Sequence, residues 1–444
     1  MRYTPGPRAG FLRTRLQAGG ARIGLQLRAT MDVLKGFSGN ARACVAVEPL
    51  WGIPYNLYIT YASVYMLALG CSTEQVGLIT SISMALQTVF SLAGGVITDR
   101  LGRRRTTLLF DLISWTVPAL IWAVAQNFWW FLAAGIINSA VRVVANSWSC
   151  LMIEDSRPQE RVHIFTWVSV AGIIAGFISP LAGLLVKGFG MVTAMRVMYL
   201  FAFVSMTFMN LLRNSRVRET RVGMIKLAES RGTKAHAALG EYRGILAHLM
   251  KSPLTILAFL ISILLNISAT LRTAFLSILL VRGLGFPEAV ISLFPIATSV
   301  VMLIIYVFVM PTVSRRGTMR PLLFGLAAFT AGSLVLTVSP AQGFWIVAAS
   351  MALTAVGAAL AGPLSDTLVA NSVEEKDRAK AMSIYHTALF AASAPFGFIG
   401  GLAAGISDRM PFVMATAALA AAMACAAAAW LVEKKLTVKT TEGA

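Results

Sequence analysis

Charged residues are scarce in this chain of 444 residues: Asp, Glu, Lys and Arg make up 13%, whereas 57% of the residues are hydrophobic. A soluble globular domain has about 25% charged residues, so the composition excludes one. The apolar stretches are continuous and longer than about 18 residues, without the roughly ten-residue alternation of a membrane β-barrel. We therefore predict an all-α polytopic membrane protein.

Cysteine and histidine are also few, with four of each. The cysteines are scattered over different predicted helices or their ends, at Cys44, Cys71, Cys150 and Cys425. No CxxC spacing, no close pair of histidines and no nucleotide-binding Gly-rich lysine loop occurs. We therefore expect no disulfide framework, no metal site, no cofactor and no enzymatic activity.

Twelve apolar stretches are long enough to cross a membrane as helices. They cover residues 46–69, 75–97, 105–125, 128–151, 163–186, 190–212, 254–281, 286–310, 321–338, 342–368, 381–406 and 410–432. Outside them no segment is large enough for a soluble domain. The formal net charge of +19 therefore indicates membrane topology and not nucleic-acid binding.

The basic residues fix the orientation of the predicted spans. If the N-terminus is cytoplasmic, all but six of the 38 Lys and Arg residues lie on the inner side. The exceptions are Lys187, Arg282 and Arg409 in outer loops and Arg142, Arg196 and Arg272 within the membrane. By the positive-inside rule we expect both termini to be cytoplasmic in a plasma (inner) membrane.

Residues 1–44 form a basic N-terminal arm that lacks the apolar core of a secretory signal. Translation could equally start at Met31, directly before the first span. A polar segment over 213–252 then divides the remaining chain into a six-helix bundle over 45–212 and a second over 253–433, followed by a tail over 434–444. Mixed apolar and charged residues between Ile225 and Met250 indicate one or two surface helices in that linker.

The two bundles share landmarks at an offset near 216 residues. Arg-Leu-Gly at 100–102 corresponds to Arg-Arg-Gly at 315–317, and Glu160-Arg161 corresponds to Asp377-Arg378. Parallel duplication about an axis normal to the membrane is typical of transporters with a site between their halves. We therefore predict two pseudo-symmetric six-helix bundles.

A basic decapeptide, residues 95–104, lies between the second and third spans and reads Gly-Val-Ile-Thr-Asp-Arg-Leu-Gly-Arg-Arg. With the six-plus-six pattern, it resembles the major facilitator superfamily over about residues 45–433. The family's loop motif, G-x-L-x-D-R-x-G-R-R, is matched by Gly95, Ile97 in place of Leu, Asp99, Arg100, Gly102, Arg103 and Arg104. The resemblance implies the fold of that family and transport by alternating access.

In the family, the acid of this motif latches the two halves together when the cavity opens outward, and the resemblance assigns that gating role to Asp99. The neighbouring arginines could serve only as positive-inside anchors. In the second half, the matching loop has Ser314 in place of the acid. An antiporter motif in the fifth helix is only partly matched.

Prolines and glycines occupy corresponding places in the fifth and eleventh predicted helices. They could act as hinges, because proline removes a backbone hydrogen bond and small residues let helices slide, or they could simply permit close packing. The hinge candidates are Gly176, Pro180 and Gly183 with Pro395, Gly400 and Gly401.

Charged residues inside a bilayer are functional candidates by default. Arg142 lies near the midplane of the fourth span, and Arg272 lies in the seventh beside Asn266. The resemblance places the first, fourth, seventh and tenth helices around the cavity, so these residues are candidates for substrate binding. Two guanidiniums could hold an anion, or each could pair with a carboxylate.

The first span carries an aromatic stripe at helical spacing, formed by Trp51, Tyr55, Tyr58 and Tyr65 with Asn56 beside it. We predict a cavity wall for an amphipathic substrate, with an interfacial aromatic belt as the alternative. Proton coupling requires a buried titratable group. The candidates are Glu48, Asp111 and Asp366.

We therefore expect a monomeric secondary transporter that moves a small organic molecule by alternating access and is coupled to protons. The aromatic stripe favours export of an amphipathic compound, whereas the intramembrane arginines favour an organic anion. A non-transporting membrane receptor on the same fold is a further alternative.

Overall fold

The computed structural model describes residues 37, 39–229, 252–313, 318–373 and 378–442. Throughout this part of the chain the regular structure is helical, and no strand occurs, which confirms the predicted all-α architecture. We number the helices α1 to α13. They are α1 (a series of short helices over 39–68), α2 (Thr73–Leu101), α3 (Arg103–Val124), α4 (Phe128–Ile153), α5 (Pro158–Gly176 and Ser179–Phe189), α6 (Met191–Arg216), α7 (Arg221–Glu229), α8 (Pro253–Gly283), α9 (Glu288–Val309), α10 (Met319–Val338), α11 (Phe344–Asn371), α12 (Arg378–Ile406) and α13 (Met410–Glu442).

Eleven helices in the described residues are long and apolar enough to cross a membrane: α2 to α6 and α8 to α13. The first predicted span is present as α1, which is broken into Gly39–Val47, Pro49–Tyr58, the 3-10 turn Ile59–Tyr61 and Ala62–Ala68. Because none of these pieces is long enough to span by itself, the count of twelve stays a prediction. Pro49 and Pro54 contribute to the irregularity, since proline lacks a backbone donor.

The first helical run begins earlier than the sequence predicts. Residues 39–44, part of the predicted basic arm, are helical, and Cys44 is fully buried beside Leu151 and Ile164. The last turn of α6 likewise extends to Arg216, so Arg213 belongs to a membrane helix and not to the polar linker. Apolar contacts and, for Arg213, a buried partner described below compensate for the polar character of these ends.

The basic decapeptide is almost entirely helical. Residues 95–101 complete α2, residues 103 and 104 begin α3, and Gly102 alone separates the two helices. Gly102 has a φ of 84°, a conformation that glycine adopts without a steric penalty. This single residue reverses the chain at what we call the motif end of the molecule.

The two halves pack against each other at the end opposite to Gly102. The first half of α2 lies along the second half of α12, and Gly77 approaches Gly397 and Gly401 so closely that a Cβ on any of them would meet backbone. Ser81 on α2 accepts a hydrogen bond from the backbone N–H of Phe398, at 2.6 Å. Small residues thus bring two helices of different halves into backbone contact.

A second contact between the halves joins α5 and α9 at the same end. Ser179 donates a hydrogen bond to the carbonyl of Ser292 at 2.9 Å, and a Cβ on Gly183 would meet the carbonyl of Ala289. Tyr61 of α1 donates to the carbonyl of Glu288 at 2.9 Å. We call the α2–α12 and α5–α9 contacts together the glycine seam, and it closes the far end of the molecule.

Replacing Gly397 with Val should open the glycine seam, because the added side chain would meet the backbone of α2. Overpacking of this kind costs about 1–3 kcal/mol, and separation of the halves relieves it. Spin labels at Ser72 and Ser407, in a variant whose native cysteines are serines, should show a longer mean distance in Gly397→Val.

Gly188→Val is the matched control, because a Cβ at Gly188 would meet nothing within 4 Å. An unchanged label distance in Gly397→Val would contradict the role of this glycine in holding the far end closed.

Candidate functional site

A cavity of about 580 Å³ lies between the two halves on the motif side of the glycine seam. It is lined by α1, α5, α8, α9 and α11, so both halves contribute to its wall. Pockets of roughly 300–1,000 Å³ hold ligands of drug size. Its polar lining includes Asn56, Thr60, Ser169, Thr298, Ser299 and Tyr306, and its apolar lining includes Ile59, Leu276, Phe294, Pro295, Met302 and Met351.

Among the described residues, Arg272 is the only Asp, Glu, Lys, Arg or His side chain in the lining of this central cavity. Its Nη2 donates to the hydroxyl of Thr354 at 3.3 Å, and its guanidinium carbon lies 5.7 Å from the centre of the Phe329 ring. Its Nη1 is buried and has no hydrogen-bond partner in the same part of the chain. The predicted candidate is therefore a cation in the lining of the cavity whose hydrogen bonds are incomplete.

Arg142 occupies a different place and does not line the central cavity. Its Nε donates to Gln87 at 2.8 Å, and its guanidinium carbon lies 3.9 Å from the centre of the Phe390 ring. Since Phe390 belongs to α12 and Arg142 to α4, the stacking contact joins the two halves. The two arginines are therefore not brought together around one ligand, as the sequence suggested they could be.

Asn266 and Asp366 share a smaller cavity of about 250 Å³ in the second half. The amide of Asn266 donates to Ser393 at 2.8 Å, and the hydroxyl of Tyr385 donates to the carboxylate of Asp366 at 2.7 Å. The Asn266 side chain, on α8, is thus hydrogen-bonded to α12 and does not line the central cavity. Asp366 has a direct partner in Tyr385, which the sequence did not single out.

The aromatic stripe of α1 packs into the core of the first half and does not form the predicted cavity wall. Tyr58 is 3% exposed, with its ring centre 4.7 Å from that of Tyr199, and Tyr65 lies 5.7 Å from the same ring. Trp51 and Tyr55 stack on each other at 4.7 Å. Aromatic rings attract one another at such distances, so these contacts stabilise the core of the first half.

Of the stripe and its polar neighbour, Asn56 alone lines the central cavity. Its amide also donates to the carbonyl of Gly52 at 2.8 Å. Asn56 directly follows Tyr55 within one helical piece, so the two side chains point in different directions around the helix, and only Asn56 reaches the central cavity.

Glu48, Trp51 and Asp111 meet around a third cavity of about 180 Å³ inside the first half. Arg213, at the end of α6, forms an ion pair with Asp111 and donates to Asn210 at 2.7 Å. Asp111 and Arg213 are 3% and 4% exposed. The sequence counted Arg213 among the linker charges, although a buried acid such as Asp111 requires a cation in reach.

At the motif end, Arg103 joins two acids of the first half. It lies 2.8 Å from Asp99 on α2 and 3.1 Å from Glu154 at the end of α4. Because Arg103 is itself buried, it serves as more than a positive-inside anchor. The acid that the motif assigns to gating is therefore paired within its own half.

Glu219 caps the start of α3. Its two carboxylate oxygens accept the backbone N–H groups of Arg103 and Arg104, each at 3.0 Å. Free N–H groups at a helix start attract an acid in this way. The sequence analysis placed Glu219 in the linker and gave it no role. Its capping role depends on its position in space next to the start of α3, which the sequence does not show.

The other motif residues lie along α2 and α3. Arg104 donates to the side chain of Asn214 at 3.1 Å, Arg100 lies in the last turn of α2, and a Cβ on Gly95 would lie 4.0 Å from Asn146. Residues 314–317 and Asp377, which carry the corresponding landmarks of the second half, lie outside the described residues.

The hinge candidates divide between a helix break and close packing. α5 is interrupted after Gly176, and Pro180 lies in the first turn of its second piece, whereas α12 continues through Pro395. Gly176, Gly183 and Gly401 touch the opposite half, while Gly400 touches Leu271 on α8. Close packing therefore accounts for the glycines, and their role as hinges stays a prediction.

Replacing Glu219 with Gln should lower the thermal stability of the purified protein. The variant loses the charge that caps α3, and hydrogen bonds to charged groups contribute about 1.5–3 kcal/mol. Thermal unfolding in detergent measures the change. Glu229→Gln is the control, since Glu229 only pairs with Lys226 at the surface of α7, and an equal loss in both variants would contradict the capping role.

The described geometry agrees with comparisons to known proteins. The sequence model of the Major Facilitator Superfamily matches residues 52–271 and 258–444. An uncharacterized MFS-type transporter of Bacillus subtilis (strain 168), YqjV, is 24% identical over 131 residues, which span 29% of this chain and only 32% of the relative. The matched stretch thus covers about a third of either protein.

Solved structures show the same fold. A mutant form of the nucleoside transporter NupG has a TM-score of 0.70 at 14% identity, covering 88% of this chain and 99% of that one. A POT family transporter in complex with 5-aminolevulinic acid has 0.66 at 14%, covering 91% and 100%. The inward-open xylose transporter XylE from E. coli has 0.64 at 15%, covering 86% and 94%.

Proposed function

Because the chain belongs to the Major Facilitator Superfamily, we propose that it is a secondary active transporter that carries a small organic molecule across the membrane by alternating access. One observation carries the proposal: a cavity of about 580 Å³ lies between the halves and is closed at one end by the glycine seam. A site between two packed halves is suited to a rocking motion that exposes it to each side in turn.

We infer the gating role of the motif end from the positions of its charged residues. In this conformation Asp99 and Glu154 both hold Arg103 within the first half, while the halves meet at the far end. Rocking would bring the motif end of α2 towards α12, and Asp99 would then latch the halves there. With both termini cytoplasmic, as the distribution of basic residues favours, the present conformation opens inward.

Proton coupling is assigned to the acids of the first and second halves. Glu48 lies beside the Asp111–Arg213 pair in the small cavity of the first half, and Asp366 accepts from Tyr385 in the second. A carboxylate in such surroundings can carry a proton between the two sides when its access alternates. The aromatic stripe, which favoured export, is engaged in the core, so the proposal includes no direction.

A disulfide across the glycine seam should stop transport. A Cβ on Gly176 would lie 3.6 Å from the Cβ of Ser299, within the range of about 3.5–4.5 Å that a disulfide requires. In a variant without native cysteines, oxidation of Gly176→Cys/Ser299→Cys in reconstituted vesicles should reduce flux by at least about tenfold, and a reductant should restore it. The substrate for this assay is a compound that raises the unfolding temperature of the wild type in a metabolite and drug screen.

The matched control is the single variant Gly176→Cys in the same cysteine-free background, because one thiol cannot form a disulfide between the halves. Its flux under oxidation should stay close to that of its reduced form. Unchanged flux with a complete crosslink between Gly176→Cys and Ser299→Cys would refute alternating access through this seam.

Replacing Glu48 with Gln should uncouple transport from protons. The variant should lose about 90% or more of the accumulation driven by a pH gradient, yet still exchange substrate between the two sides of the membrane, because exchange requires no net proton movement. Counterflow and gradient-driven uptake in the same vesicles measure the two processes. Glu229→Gln should retain both, and gradient-driven accumulation by Glu48→Gln at the wild-type level would exclude Glu48.

A further inference from the structure

Arg272 differs from Arg213 and Arg142, two other arginines of the membrane helices. Arg213 has a carboxylate partner, and Arg142 stacks on Phe390 and donates to a glutamine. Arg272 has one long hydrogen bond to Thr354 and an Nη1 with no partner in the described part of the chain. A cation taken out of water without a counter-charge is costly, so an anion that reaches it would be bound strongly.

The lining of the central cavity has a polar part next to Arg272 and an apolar part. Thr273 and Ser277 of α8 follow Arg272 in the sequence and line the same cavity. Phe294 and Met302 offer an apolar surface to the remainder of a ligand. No Asp or Glu lines the cavity among the described residues, so nothing in it would balance a bound cation.

We propose, on the premise of the proposed transport function, that the transported compounds are amphipathic organic anions. Their carboxylate, sulfonate or phosphate group binds the guanidinium of Arg272, and their apolar part packs against Phe294 and Met302. Arginine suits this role because its planar group donates two parallel hydrogen bonds to such an anion. This assignment unites the amphipathic and the anionic expectations in one site.

The test uses matched probes that differ only in charge: benzoate, 2-naphthoate and decanoate, each compared with its neutral amide. Thermal unfolding of the full-length protein in detergent is measured for the wild type, Arg272→Met, Arg272→Lys and the control Arg196→Met. Arg196 is also an intramembrane arginine with an unpartnered nitrogen among the described residues, but it does not line the cavity.

The acids should stabilise the wild type and the Arg196→Met variant, whereas the amides should not. In Arg272→Met, the apparent Kd of a stabilising acid should rise by about tenfold to a hundredfold, because a charged hydrogen-bonded pair is lost. Arg272→Lys should retain part of the preference for the acid. Without ligand, Arg272→Met should unfold at the same temperature as the wild type or above it, since it removes an uncompensated charge.

Three outcomes would overturn the inference: no acid stabilises the wild type, an amide stabilises it as well as its acid, or Arg272→Met keeps the preference for the acid. A lower unfolding temperature of ligand-free Arg272→Met would also count against it, by showing that the charge is structural. Since these assays measure binding without flux, acids that bind through Arg272 but are never transported would refute the proposed function alone.

Discussion

The cost of holding charge away from water governs where this protein places its ionic groups. Each unpaired ion inside a membrane costs several kcal/mol, so most buried charges are matched within one half. Arg213 pairs with Asp111, and Arg103 bridges Asp99 and Glu154. Among the described residues, Arg142, Arg196 and Arg272 depart from this rule, and of these three only Arg272 lies in the lining of the central cavity. The unpaired charge of Arg272 therefore marks the place where a bound anion would offset the cost of burying a charge.

The contacts between the halves follow a different rule. They include glycines, serine hydroxyls, a tyrosine hydroxyl and one stacked arginine, and the hydroxyls bond to backbone groups. The ionic bonds described at the motif end and around Arg213 hold α3, α4 and α6 of one half together. The first half is therefore held together by buried ion pairs, while the described contacts between the halves are mostly close approaches of neutral groups.

The helices were largely readable from the sequence, because continuous apolar runs leave the backbone no alternative in lipid. Gly102 and the motif around it were readable too. The contacts of the candidate site residues were harder to predict from the sequence. Helical spacing correctly placed Tyr55 and Tyr58 on one face of α1, but it could not show that this face meets Tyr199, since that depends on how α6 packs. Glu219 and Arg213 were hidden for the same reason: their partners are more than 100 residues away.

The glycine seam has an entropic consequence. A glycine has no side-chain rotamers to immobilise, so bringing Gly77 against Gly397 and Gly401 sacrifices little conformational freedom compared with a contact made by long side chains. The gain from backbone contact is correspondingly modest. Under the proposed transport function, opening and closing of the far end would then differ little in free energy, and binding of a ligand would be enough to favour one of them.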